Sequence, residues 1–266
     1  MRERKNGVSR RGSSVLFTLL GSALLVAAQA PVAGAVTASG GGESWGDTVQ
    51  TPYGELGKWM LTCQTPKSPD CQPSDWGISD WLGQQQPDGR RLDEPINVVI
   101  VDRTSTSPEE ATLKLLGGMA AAGFPSKYGH SDGYRAMIGS ALQGQQPTRV
   151  TCNATVSSKY GCAFADQEYN HLGPIDHARA FGPAPLPDGH GYVWIEALST
   201  ERPGLYHFRP THLYKSFKTA QDNLCTGMSH VAGVRIGDPI DLQNRLDGID
   251  RYTGDYTGKA CLAFLP

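Results

Sequence analysis

The chain has 266 residues, and its 39% hydrophobic and 19% charged side chains are typical of a globular protein rather than a disordered one. Its 32 glycines and 18 prolines predict many turns, which argues against an all-helical bundle. The net charge of −2 becomes −6 when the first 35 residues, with five basic and one acidic side chain, are removed. No Lys/Arg run then remains, which argues against nucleic acid or an anionic membrane as the main partner.

The first 35 residues have the three parts of a secretory signal peptide. Met1–Arg11 is basic, Val15–Ala28 is apolar, and Ala33–Ala35 offers the small residues that signal peptidase accepts. Cleavage after Ala38 fits as well. No later stretch approaches the ~20 apolar residues of a membrane helix. We therefore expect a secreted, extracellular protein that is not an integral membrane protein.

Six cysteines, all after the predicted signal, agree with an oxidising destination. Six thiols allow fifteen connectivities, and proximity in sequence favours three local pairs. These pairs are Cys63–Cys71, Cys152–Cys162 and Cys225–Cys261. No C-x-x-C pair occurs, so the cysteines do not match a zinc-finger pattern.

Residues 36–94 form a Gly- and Trp-rich N-terminal extension that contains the Cys63–Cys71 loop. The segment shows no sustained hydrophobic period, and four of the five tryptophans lie in it: Trp45, Trp59, Trp76 and Trp81. Aromatic side chains between Asp and Gln can line a sugar-binding surface. They can equally cover the edge of a core beneath a disulfide-closed loop.

Regular structure is first predicted after Pro95. Residues 96–101 are a β-branched run, typical of a strand covered on both faces. Ser107, Pro108 and Glu110 form a helix start with a capping residue, a first-turn proline and a capping-box glutamate. Leu113, Leu116 and Ala120 fall on one face at helical spacing, and Gly123 can end the helix in a left-handed conformation. A strand followed at once by a helix suggests an α/β or α+β layer.

The remaining chain predicts further short elements. First come a short helix at 134–138, a strand at 148–156 and a proline-rich loop at 181–189. A strand at 191–199 follows and pairs as a hairpin with 205–209. The last elements are a helix with Phe217, Ala220, Leu224 and Met228 on one face, and closing strands at 234–236 and 261–265. We expect an α+β (or α/β) fold, with a single mixed-sheet domain over 95–266 and two main amphipathic helices.

The order of these segments resembles the LssY-like carboxy-terminal domain family over about residues 95–265. The similar stretches are Pro95–Val101 with Ala122–Phe124, Asp176–Phe181, Val193–Ser199, and Thr211–Leu213 with Ala220–Leu224. Glu196 stands where the family usually has glycine, and Ala220-Gln221 replaces its Glu-Arg pair. The resemblance implies an envelope or lipid-phosphate setting by association only.

Five of the seven histidines lie between positions 171 and 212. Extended geometry would place His177 and Arg179 on one face. Arginine grips a phosphate or carboxylate as a fork, and histidine can move a proton near neutral pH. We therefore predict His177 as acid/base, Arg179 as anion clamp and His212 as second proton-transfer group. Substrate-binding roles are assigned to Asp176, His207 and Arg209.

Other interpretations of these residues remain open. Each can be an ordinary structural residue, such as a buried histidine bound to the main chain. His177, His207 and His212 can also ligate zinc with Asp176 or Asp222, although no H-E-x-x-H or H-x-H spacing supports it. No metal is therefore assigned. Gly-x-Ser-x-Gly and Gly-x-Gly-x-x-Gly do not occur, so we expect neither that serine nucleophile nor a nucleotide cofactor.

Two functions follow from the sequence. The first is a secreted hydrolase acting on an anionic ester, phosphate or carboxylate. The second is a non-catalytic secreted module that binds envelope glycan or lipid through the tryptophan-rich segment. Either takes a small-molecule, lipid or glycan ligand. Convergence of His177, Arg179 and His212 in one cleft favours the hydrolase, whereas exposed and coplanar Trp76 and Trp81 favour the binding module.

Overall fold

Strands dominate the protein. The computed structural model describes residues 44–64, 71–85, 91–155, 159–168, 172–206, 208–246 and 254–266, and the predicted signal peptide lies outside them. The strands are β1 (Thr48–Thr51), β2 (Gly54–Gly57), β3 (Leu61–Cys63), β4 (Trp76–Ile78), β5 (Asp80–Gln85), β6 (Arg91–Asp93), β7 (Ile96–Asp102), β8 (Ser126–His130), β9 (Arg135–Ile138), β10 (Ala141–Gln146), β11 (Gly161–Ala165), β12 (Ile175–Pro185), β13 (Tyr192–Tyr206), β14 (Arg209–Ser216), β15 (Arg235–Ile236), β16 (Ile240–Asp241) and β17 (Lys259–Leu265). The α-helices are α1 (Pro108–Ala121) and α2 (Phe217–Ser229), and short 3-10 helices cover Pro73–Asp75 and Arg149–Cys152.

The prediction of an α+β (or α/β) fold is wrong. Fifteen of the strands join one sheet, with the path β1-β2-β9-β10-β12-β13-β7-β17-β15 and side branches, and only two α-helices occur in the described residues. The sequence did not predict the short strands, because strands of three to five residues are too short to show an alternation of apolar and polar side chains. Some of them, such as β8 with β11, also pair with a strand that is far away in sequence.

Helix α1 begins with the predicted cap: the Ser107 hydroxyl accepts a hydrogen bond from the Glu110 amide, with Pro108 in the first turn. Helix α2 is capped in the same way, because the Ser216 hydroxyl accepts from the Thr219 amide. Both helices lie on the same side of the sheet. Their apolar faces pack there against alternate residues of β7, β12, β13 and β17.

The opposite face of the central strands forms a second core with β2, β9 and the turn before β3. Ile195 on β13 and Val99 on β7 pack there against Leu56, Met60 and Ile138. Residues 44–64 join the same sheet, since β2 and β3 both pair with β9. All described residues belong to one compact unit.

Three local predictions are corrected. Residues 134–138 contain strand β9 rather than a helix, because β9 returns as β10 through a tight turn where Gly139 has a φ of 59°. The expected strand at 148–156 is instead the 3-10 helix Arg149–Cys152, which ends at Asn153 in a left-handed conformation. The expected loop at 181–189 begins later, since β12 continues to Pro185.

The three predicted disulfides are present: Cys63–Cys71, Cys152–Cys162 and Cys225–Cys261. The last joins helix α2 to strand β17. Among the described residues, neither helix is long and apolar enough to cross a lipid bilayer. The disulfides are compatible with an extracellular protein.

Candidate functional site

Three neighbouring strands place four polar side chains on the face of the sheet opposite the helices. His177 and Arg179 are alternate residues of β12, so they point to the same side. His177 pairs with Ser199 of β13, which makes Glu201 its diagonal neighbour. Glu201 pairs in turn with Tyr214 of β14, and His212 is therefore its diagonal neighbour on the other side. Strand register alone brings these groups together.

Glu201 binds two histidines at once. Its Oε1 lies 2.6 Å from Nε2 of His177, and its Oε2 lies 3.2 Å from Nδ1 of His212. All three residues are 5% exposed or less. Because an ionised carboxylate only accepts hydrogen bonds, Nε2 of His177, the closer of the two nitrogens, carries its proton. Glu201 therefore fixes the tautomer of His177 and holds the ring of His212 at ion-pair distance.

A third histidine, His130, reaches the same cluster from the end of β8. Its Nδ1 is 3.2 Å from Nδ1 of His177, and the two rings meet edge to face with centroids 5.2 Å apart. Since Nε2 of His177 donates to Glu201, Nδ1 of a neutral His177 accepts, and Nδ1 of His130 donates. The result is a chain of hydrogen bonds from His130 through His177 to Glu201.

Arg179 lies beside His177 and is held in place by Ser131 and Tyr134. Its Nε donates to the main-chain carbonyl of Ser131 (3.3 Å), and one terminal nitrogen donates to the Ser131 hydroxyl (2.8 Å). The other terminal nitrogen is 3.4 Å from Nε2 of His177, and the guanidinium carbon lies 4.7 Å from the centre of the Tyr134 ring. These contacts use two of the five guanidinium N–H groups on Ser131, so others can face a ligand.

Burial and charge shift the proton affinities of the site in opposite directions. Burial alone would raise the pKa of Glu201, but the charge that His177 carries when it is protonated, the contacts with both histidines and the charge of Arg179 outweigh it and hold the pKa well below its ordinary value. Burial lowers the pKa of His177 despite Glu201, and burial with neighbouring His177 lowers the pKa of His130 to about 2. At neutral pH the site thus holds a carboxylate and two neutral imidazoles.

A second carboxyl group in the site behaves differently. Burial raises the pKa of Glu94, which follows β6, to about 7, although Arg179 and a hydrogen bond from the Ser79 hydroxyl oppose the shift. Glu94 and Glu201 therefore have pKa values on opposite sides of the ordinary glutamate value. Two carboxyl groups separated in this way can act as proton donor and permanent anion in one site.

These groups surround a cavity of about 270 Å³. Trp81 of β5 forms one wall, with its ring stacked on His177 at 6.3 Å between centroids. The lining residues are Asp80, Trp81, Glu94, Gly129, His130, Ser131, Tyr134, Tyr160, His177, Arg179, Glu201, Thr211 and His212. The cavity combines an aromatic wall with a polar floor and accommodates a small ligand.

The structure brings together the three residues predicted to be catalytic, His177, Arg179 and His212, around this cavity. Asp176 lies apart from them. It points to the helix-facing side of β12, where it accepts hydrogen bonds from Thr200 and from Asn223 of α2. His207 lies outside the described residues, and the backbone of Arg209 pairs with Tyr206 at the far end of the β13–β14 hairpin.

Sequence reasoning missed His130, Glu201 and Glu94 as site residues. His130 is separated in sequence from the other histidines, and only the pairing of β8 with β11 and of β11 with β12 brings it beside His177. In the sequence, Glu201 follows a strand predicted to be buried, and it resembles a solvent-exposed charge at the end of a strand. The one signal that could have identified it is its position directly after Ser199 and Thr200, which continue the apolar strand.

Among the described residues, no group of three or more His, Cys, Asp or Glu side chains is arranged to hold a metal ion. The closest approach of imidazole nitrogens, between His130 and His177, is accounted for by an N–H···N hydrogen bond. The arrangement is suited to moving a proton along buried, oriented imidazoles and to binding an oxyanion at Arg179.

Comparison of the chain with protein-family models, with curated proteins and with solved structures yields no match. The cavity and its chemistry are therefore the basis for assigning a function.

Proposed function

We propose that the protein is an exported hydrolase that cleaves a small ester bearing a phosphate or carboxylate group. The observation that carries this proposal is the cluster in which Glu201 holds both His177 and His212 while Arg179 lies beside His177, inside one cavity. A buried carboxylate that orients an imidazole is a recurring arrangement for proton transfer in ester cleavage.

The attacking water is activated through the hydrogen-bond chain. As the water loses a proton to Nε2 of His130, Nδ1 of His130 passes its own proton to Nδ1 of His177. The positive charge ends on His177, whose Nε2 donates to the ionised Glu201. Because the low pKa of His130 keeps it neutral before the reaction, it can act as a relay without holding a charge.

Glu94 and Arg179 complete the reaction. With a pKa of about 7, Glu94 still carries its proton in a large fraction of molecules near neutrality and can donate it to the leaving oxygen. The N–H groups of Arg179 that do not bond Ser131 are available to the phosphate or carboxylate oxygens.

Export is part of the proposal. The predicted signal peptide and the three disulfides support an extracellular location. The resemblance to the LssY-like family stays a prediction. It would add an envelope setting to the same chemistry.

A binding function without catalysis is the second candidate. It is favoured by the aromatic wall of the cavity, where Trp81 stacks on His177 and Tyr134 lies under Arg179. Trp81 is only 5% exposed, however, so it does not form the exposed platform with Trp76 that sequence reasoning required. A glycan or lipid headgroup would instead enter the cavity.

The test is hydrolysis of aryl phosphate monoesters, aryl phosphate diesters and aryl carboxylate esters by the mature secreted protein. Glu201→Gln keeps the shape of the side chain but removes its charge, and we expect kcat to fall by about 10²–10⁴-fold. Glu94→Gln removes the proposed proton donor, so kcat should fall, and the decline in activity expected above about pH 7 for the wild-type protein should be absent from the variant.

The matched control is His190→Ala, which removes an exposed histidine remote from the lining of the cavity and should leave kcat and KM unchanged. Thermal melting and near-ultraviolet circular dichroism check that each variant is folded. A folded Glu201→Gln protein with wild-type activity would refute the proposal. Saturable binding of one of these esters without turnover would favour the binding function.

A further inference from the structure

The hairpin formed by β13 and β14 extends beyond the rest of the sheet. Strand β12 pairs with β13 only as far as Glu201, so from Arg202 to Tyr206 the described pairing of β13 is with β14 alone. Two large apolar side chains near the end of this hairpin face solvent: Leu205 is 64% exposed and Phe208 is 97% exposed. Burying either would be favourable, and nothing in the described fold does so.

The local backbone does not account for Phe208. Its φ is +62°, in the left-handed region that favours glycine or asparagine and that is costly for a bulky side chain. A hairpin turn at this position would be more stable with Asn-Gly. Phe208 therefore combines an unfavourable backbone conformation with an apolar side chain that gains no burial in the described fold, which favours a surface that a partner covers.

Charge indicates the kind of partner. From position 202 to position 215 the sequence has three basic residues, Arg202, Arg209 and Lys215, and no acidic residue, although the whole chain is net negative. Arg202 and Lys215 are both exposed. Apolar side chains at a tip with cations behind them match the interface of an anionic bilayer, where the apolar groups enter the acyl boundary and the cations meet headgroups.

We propose that the tip of the β13–β14 hairpin inserts into the surface of a membrane that contains anionic lipids. The hairpin also carries Thr211 and His212, which line the cavity, so docking by its tip would bring the cavity close to the lipid surface. The docking surface is independent of the proposed hydrolase activity, since it needs neither His177 nor Glu201.

The experiment measures cosedimentation of the mature protein with vesicles, without any substrate. Vesicles of phosphatidylcholine alone are compared with vesicles of phosphatidylcholine mixed with phosphatidylglycerol. We expect binding to the mixed vesicles that weakens as salt is raised. The double variant Leu205→Ser and Phe208→Ser should reduce the partition coefficient by at least about tenfold. Arg202→Gln and Lys215→Gln should each reduce it by about fivefold.

The matched control is Leu113→Ser, which removes a leucine that is 69% exposed on helix α1 and should leave vesicle binding unchanged. Because Leu205, Phe208 and Leu113 are all exposed, every variant should melt at the wild-type temperature. The proposal is overturned if the wild-type protein does not bind the mixed vesicles, if it binds neutral vesicles equally well, or if the double serine variant binds like the wild type.

Discussion

Glu196 is a glutamate placed inside the core between the sheet and the helices. It is 0% exposed, neither carboxyl oxygen has a hydrogen-bond partner among the described residues, and strand alternation puts it beside Trp194 and Leu198. Burial raises its pKa from an ordinary value of 4.5 to about 8. The native protein therefore holds a neutral carboxylic acid at this position at neutral pH.

This shift makes stability depend on pH in a defined direction. Between about 4.5 and about 8 the native state keeps the Glu196 proton while the unfolded state loses it, so the free energy of unfolding falls as pH rises through this range. The shift of the Glu196 pKa from 4.5 to about 8 corresponds to a loss of up to about 5 kcal/mol in the free energy of unfolding. This is a large share of a typical total stability of ~5–15 kcal/mol. Below about pH 4.5 this contribution is constant.

Replacing Glu196 by methionine removes the carboxyl group and keeps a side chain of similar length. We expect Glu196→Met to be more stable by about 1–3 kcal/mol near pH 5, where only an unpartnered neutral group is removed. The advantage should grow by up to about 5 kcal/mol towards pH 9. Urea unfolding of both proteins across this range, followed by tryptophan fluorescence without reductant, measures the difference.

Glu94 also titrates near pH 7, but it is present in both proteins and its effect cancels in the difference. The exposed Glu55→Met variant is the control and should follow the wild type at every pH. A stability difference between wild type and Glu196→Met that is the same near pH 5 and near pH 9 would refute the linkage. A destabilised methionine variant would show instead that the carboxyl group has a partner.

Three further outcomes are expected. Leu115→Ala, in the helix–sheet core, should lower the free energy of unfolding by about 2–5 kcal/mol, whereas Leu113→Ala on the exposed side of the same helix should change it by less than about 0.5 kcal/mol, both read from urea unfolding. Replacing Cys225 and Cys261 together by serine opens a loop of 36 residues and should cost about 4 kcal/mol, measured by thermal melting against the oxidised wild type. Gly191→Ala places a Cβ 2.0 Å from a main-chain carbonyl at a φ of +98°, so poor expression or a clearly lower melting temperature should result, and a wild-type melting temperature would contradict this geometry.

The sequence by itself determined those features whose physics is local. A capping serine and a first-turn proline specify the start of α1 within a few neighbouring positions, and the β-branched run 96–101 specifies its strand. The predicted apolar face of α1 was wrong, because Leu113 and Ala120 are exposed and the helix instead buries Ala111, Leu115 and Met119 against the sheet. The disulfide pairs were predictable because each joins two cysteines that are consecutive along the chain, with separations of 8, 10 and 36 residues. His177 and Arg179 were recognised as same-face residues because period-two alternation is a property of any strand.

Only the tertiary structure decided the fold class and the composition of the site. Strand β8 is too short to show a period, and it forms because the distant strand β11 supplies its hydrogen bonds. Strand pairing also brings His130 and Glu201 to His177 across 47 and 24 positions of sequence. Asp176, next to His177 in sequence, points to the helices because neighbouring strand residues face opposite sides of a sheet. Distances along the chain do not encode which strands will be adjacent, and the site is a consequence of that adjacency.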